Sequence, residues 1–355
     1  VRADPAGRTP VATPGAGSVP PVDLLLLGVA IAGVSLSAPL IAATAAPALA
    51  IAFWRNAMAV GVIGPVVLLR HRRELLAIQR RTLLLAVAAG ALLALHFGLW
   101  VPSLGMTSVA SSTALVTTTP VWTTVLLYLG GHRPPTMVWV GIAVAFLGVL
   151  VLTGVDLSMS TRALAGDALA LAGGMAVAGY VVLGARVRRT VGTWAYTLVC
   201  YSTTAVLLLA VCLGYRQDLA GYSGTTWFKL VLLTVAAQLL GHSLLNRVVR
   251  SLGPSITTTA ILLETPCAAL IAAVWLGQTP PVAACPALAL ILVGLALVIR
   301  ADRVRASRSD GTRGGSPDRS TPSPPAPSDS RSATATPACG RSSSRRSRRP
   351  WSAPR

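Results

Sequence analysis

The chain has 355 residues, of which 53% are hydrophobic and only 12% charged. A soluble domain carries about a quarter charged residues, so the chain reads as an integral membrane protein and not as a soluble enzyme or binding module. The net charge of +19 is no signature of nucleic-acid binding, because thirteen of the thirty basic residues lie between Arg300 and Arg355, outside the apolar part.

Residues 1–21, rich in Pro, Ala and Gly, read as a disordered lead. Ten apolar runs follow, each long enough for a membrane helix of roughly 20 residues. They lie near 22–43, 47–69, 82–101, 107–130, 136–155, 165–186, 194–214, 226–247, 254–276 and 281–300. The first run, ending near Ala43-Thr44-Ala45, has the look of a signal peptide. It is assigned to the mature chain instead, because GDALALAGG at Gly166 repeats the run that opens at Asp23. The Ser, Pro and Arg-rich residues 301–355 lack the apolar residues of a core and are expected to be a disordered tail. The preferred reading is a solvated tail with no fixed partner; contact of its run RSSSRRSRRP at 341–350 with anionic lipid heads is the alternative, and no nucleic-acid partner is expected.

The ten runs are two copies of one unit. A shift of 146 residues lays TTTPVWTTVLLYLGGHRPP (117–135) on LETPCAALIAAVWLGQTPP (263–281) without a gap. It also pairs His96 with His242, Thr113-Ala114 with Thr259-Ala260 and Gly148 with Gly294. The repeats are 22–155 and 165–300, with five spans each. Five is odd, so the copies must be inverted in the membrane, as in many secondary transporters. The expected fold is all-α: ten transmembrane helices in two inverted five-helix repeats. Arg70, Arg72, Arg73, Arg80, Arg81, Arg133, Arg186, Arg188, Arg189, Arg247 and Arg250 all fall on one side, against Arg162, Arg216 and Lys229 on the other. The arginine-rich side is expected to face the cytoplasm, with both termini, in a multi-pass protein of the plasma membrane.

Charge inside the spans points to function, because it is costly in lipid. Arg55 and Glu264 lie about 13–15 Å deep in a core of roughly 30 Å and are opposite in sign. They are expected to line one solute pathway, pairing directly or through water or solute. Pro120 and Pro266 fall mid-span at equivalent positions. Each should free the carbonyl four residues back, at Val116 and Leu262, and mark a helix break beside a substrate site. Ser111, Leu115, Thr118 and Trp122 share a face at the first break, and Thr257, Ile261, Glu264 and Ala268 at the second. Gln238, His242 and Asn246 form a stripe at i, i+4 and i+8 in the eighth span, with His96 and Trp100 at equivalent places in the third. The stripe serves either interhelical hydrogen bonds or, through histidine, proton transfer. The five cysteines lack metal-ligand spacing, so neither metal nor cofactor is expected.

These residues resemble the EamA family of the drug/metabolite transporter superfamily over about 22–300. The likeness is strongest at QLLGHSLLNRVVRSLGPSITTTAILLETPCAALIAAVWLGQTP (238–280) and at AFWRNAMAV (52–60). It implies export or exchange of small metabolites, with Arg55, His242, Asn246 and Glu264 at family motif positions. Thr118 stands where many relatives carry glutamate, and Thr265 separates Glu264 from Pro266, which leaves the solute and the coupling ion open. The expected partner is a small solute, amino-acid-like metabolites included, with protons as a candidate driving ion. The absence of GxxxxGK[ST] argues against an ATP-driven pump. An intramembrane enzyme using His96, His242 and Glu264 is disfavoured, since neither HExxH nor G-x-S-x-G occurs. A membrane adaptor acting through the basic tail is the remaining alternative.

Overall fold

The structure, a computed structural model, describes residues 21–131, 133–241, 244, 248 and 263–314. The described residues up to Gly311 form one compact unit. The described residues are helical and contain no strand. Eight segments among them are long and apolar enough to cross a membrane. The first span is α1 (Pro21–Ser35) and α2 (Ser37–Ala42), followed by α3 (Ala48–Arg70), the short α4 (Arg72–Leu76) and α5 (Arg80–Ser103). The fourth span is divided into α6 (Val109–Val116) and α7 (Thr119–Leu129). Then come α8 (Thr136–Met159), α9 (Thr161–Val187), α10 (Thr193–Gly214) and α11 (Gly224–Leu233), which continues into a π-helical segment, Thr234–Gly241. Of the ninth span the described part is α12 (Glu264–Leu276), and the tenth opens α13 (Ala284–Gly314).

Of the ten expected spans, the fourth therefore does not appear as a continuous helix, and residues 254–262 of the ninth lie outside the described residues. The helix expected to end near Arg300 also runs on to Gly314. No proline falls between Arg300 and Gly314, and the first glycine there is Gly311, so nothing stops the helix earlier. Residues 1–20 and 315–355, expected to be disordered, lie outside the described residues.

Helices in lipid gain little from hydrophobic burial against one another and rely on close approach at small residues. Gly148 and Gly294 show this with a reciprocity that follows the repeat. A Cβ on Gly148 would come 2.7 Å from the Ile291 nitrogen. One on Gly294 would collide with Ala145, and Ala145 and Ile291 are themselves 146 residues apart. Thus α8 and α13 meet through the same two positions of each copy. Elsewhere α9 packs on α5, α10 packs on α3, and α1 packs on the π segment. Gly173 faces Trp100 and the His96 carbonyl, and Gly33 faces the Ala236 carbonyl and Gly241. The core runs through these contacts, from Leu40 and Ile51 through Leu93 and Leu115 to Leu208, Leu230 and Ile291, all buried.

Candidate functional site

The break in the fourth span comes from its own sequence. Helix α6 starts at the Ser108 cap, whose side chain accepts from the Ser111 amide at 3.0 Å. Three threonines then precede Pro120, and each hydroxyl turns back on the carbonyl three residues earlier. Thr117 donates to Ala114 at 3.0 Å, Thr118 to Leu115 at 2.6 Å and Thr119 to Val116 at 2.8 Å. The Val116 carbonyl freed by Pro120 therefore has a partner within the chain, as burial in a membrane requires. The expected mid-helix kink is a full interruption, and Pro120 is the second residue of a new helix, where a missing amide costs nothing.

In the ninth span α12 opens at Glu264, with Pro266 in its first turn. Leu262, Thr257 and Ile261 lie outside the described residues. The Thr265 hydroxyl lies 3.2 Å from that of Thr117, the residue that ends α6, so the break in the fourth span touches the start of α12. Helix α12 also packs against α1, α2 and α6.

Arg55 is 2% exposed, on the buried face of α3. Its Nε and Nη2 donate to one acceptor, Gln238 Oε1, at 3.1 and 2.7 Å. Its Nη1 donates to Ser37 Oγ at 3.3 Å, and its guanidinium carbon lies 4.4 Å from the centre of the Phe97 ring. Gln238 Nε2 donates in turn to Asn56 Oδ1 at 3.4 Å, and Asn56 Nδ2 donates to the Ala52 carbonyl at 2.9 Å. Tyr201 lies against the same group. Of the expected alternatives, direct pairing with Glu264 is not formed: among the described residues the one basic–acidic side-chain contact within 4 Å is His71–Glu74, at 3.5 Å. Glu264 stays within electrostatic reach of Arg55 without touching it. Arg55 is thus a buried cation held by neutral oxygens and an aromatic face, within electrostatic reach of a carboxylate at a helix start.

The remaining expected residues divide. Gln238 joins Arg55 from the π segment and not from a regular α-helix. His242 and Asn246 lie outside the described residues. His96 donates from Nδ1 to the Gly173 carbonyl at 3.0 Å and stacks on Trp100, tying α5 to α9, which is the interhelical bonding role. Through Phe97 it also borders the Arg55 group. Trp122 Nε1 donates to Thr118 Oγ1 at 3.1 Å, and the pair lines a narrow cleft with Val121, Val149 and Leu171. Ser37, Phe97 and Tyr201 were not among the expected residues. The break at Leu36 that delivers Ser37 falls where Pro39, in the first turn of α2, has no amide to give the Ser35 carbonyl.

The profile of the EamA-like transporter family matches residues 21–154 and again 164–300. The chain belongs to this family. It is a multi-pass membrane protein of a transporter family, and the two matches are its two repeats. No curated protein matches this EamA-like chain. A solved structure described only as a crystal structure of a protein is similar in fold, with a TM-score of 0.56 and 19% identity. The likeness covers 80% of this chain and 99% of that one.

Proposed function

We propose that this EamA-like protein is a secondary transporter that exports or exchanges a small, amino-acid-like metabolite by alternating access. The observation that carries the reading is Arg55, a fully desolvated cation whose partners among the described residues are all neutral and which has a carboxylate, Glu264, within electrostatic reach. Intramembrane ionisable groups left in this condition line transport pathways. A solute with an acid and an amine satisfies both: its carboxylate replaces Gln238 on the guanidinium, and its ammonium faces Glu264. The contact of Thr117 with Thr265 sets the break in the fourth span and the start of α12 beside that region, as proline-bearing segments are in inverted-repeat carriers. In this reading the ten spans form two oppositely oriented bundles in the plasma membrane, the arginine-rich loops and both termini are cytoplasmic, and protons are the candidate driving ion.

The test is a metabolite accumulation screen in cells with and without the protein, repeated with a proton uncoupler. Arg55→Ala and Glu264→Gln are then compared at equal surface expression. Loss of the flux difference in both supports the reading, and normal rates in both remove the pair from the mechanism.

A further inference from the structure

Two acidic residues stand apart from the Arg55 group. Asp156 lies at the end of the fifth span on α8, and Asp167 lies in the second turn of α9. They are 4% and 1% exposed. Both oxygens of Asp167 and Oδ2 of Asp156 have no hydrogen-bond partner among the described residues. The two carboxyls adjoin, and Thr107, from the turn before α6, lies beside Asp167 with its own buried hydroxyl unpartnered. The nearby cation does not serve them: Arg162 Nη2 donates to the Gly105 carbonyl at 3.0 Å. Asp156 from α8, Asp167 from α9 and Thr107 from the turn are thus the groups that face one another, and no cation among the described residues enters the cluster.

Two ionised carboxylates cannot sit side by side in an apolar site without a cation or donors. One proton removes the difficulty. The O–H of one carboxyl donates to an oxygen of the other, a single negative charge is spread over the pair, and the Thr107 hydroxyl is positioned to donate to it. We propose that Asp156 and Asp167 form a proton-binding site that holds one shared proton while buried and gives it to water when the α8–α9 junction opens. Release breaks the carboxyl O–H bond, leaves two carboxylates and passes the proton to a water molecule, and rebinding reverses each step.

The site is placed to act on the fourth span. Gly166, next to Asp167, seats on the turn that starts α6, where a Cβ would come 2.9 Å from both Met106 Cβ and the Thr107 nitrogen. Mutual repulsion after proton loss therefore pushes α9 against the anchor of the interrupted span. Only this coupling to solute movement rests on the transporter reading; the proton occupancy does not.

Infrared difference spectroscopy on the purified full-length protein in nanodiscs tests occupancy directly. We expect a protonated-carboxyl band at neutral pH that fades on alkaline titration, shifts on 13C-aspartate labelling, is lost or moved in Asp156→Asn and Asp167→Asn, and persists in Glu264→Gln. A wild-type band that ignores aspartate labelling overturns the proposal even if neither variant folds. Loss of the band on adding sodium at constant pH also overturns it, by making a metal cation the occupant. An aspartate band in a protein that moves no solute leaves the proton site standing and removes the transporter reading.

Discussion

Gln238 is the residue whose replacement separates the two roles of the Arg55 group. Its one carbonyl oxygen accepts two bonds from the guanidinium. Hydrogen bonds to a charged group contribute about 1.5–3 kcal/mol each, and stripping a partner from a buried charge costs about 3–5 kcal/mol. Gln238→Leu leaves Arg55 with Ser37 and the Phe97 face, which retain about 1–2 kcal/mol of that interaction. The net expected loss of stability is about 3 kcal/mol. Gln238→Glu does the reverse. It supplies a carboxylate of the same shape, gives up the bond to Asn56, and should keep stability within about 1 kcal/mol of the parent. It also cancels the charge that a solute carboxylate would meet, so flux should fall by a factor of ten or more, about 1.4 kcal/mol in the barrier. Thermal unfolding in detergent and uptake into proteoliposomes read the two effects separately. A Gln238→Leu protein that melts with the parent, or a Gln238→Glu protein that transports faster, refutes the reasoning.

Reciprocal packing of the repeats makes Gly148→Val and Gly294→Val a matched pair. Overpacking should cost each about 1–3 kcal/mol, and a thermal-shift series in which one is silent and the other severe contradicts the equivalence of the two contacts. Thr117→Val and Thr265→Val each remove the same bridging bond, worth about 1 kcal/mol. The double variant should therefore cost less than the two singles together in a double-mutant cycle. On the arginine-rich face Glu74 Oε1 accepts from the Gly192 amide at 2.5 Å, linking the two halves from a partly exposed position. Glu74→Ala should speed hydrogen exchange at Gly192 while changing global stability by under about 1 kcal/mol.

The repeat was legible because 146-residue spacing survives in residues with steric roles: paired prolines, Gly148 with Gly294, Thr119 with Thr265. The depth of Arg55 was legible too, since charge in an apolar run stands out. Its partner was not. Opposite sign pointed to Glu264, yet the bonds go to Gln238, because an amide oxygen satisfies a guanidinium without cancelling its charge. Reading a kink at Pro120 underrated the threonines, whose hydroxyls compete for backbone carbonyls and end α6 outright. The π winding at Thr234–Gly241, which carries Gln238, has no signature in a reading based on 3.6 residues per turn. Asp156 and Asp167 stayed hidden because span limits from hydropathy are uncertain by several residues, which is the distance between a headgroup position and a buried one.

The threonine run before Pro120 has one more consequence. Each carbonyl released at the interruption already owns a hydroxyl from its immediate neighbourhood, so the joint needs neither cargo nor solvent to exist. Two short stiff rods can then swivel about a fixed point while their internal bonding stays intact. A carrier jointed in this way keeps its pivot through every stage of the cycle, loaded or empty.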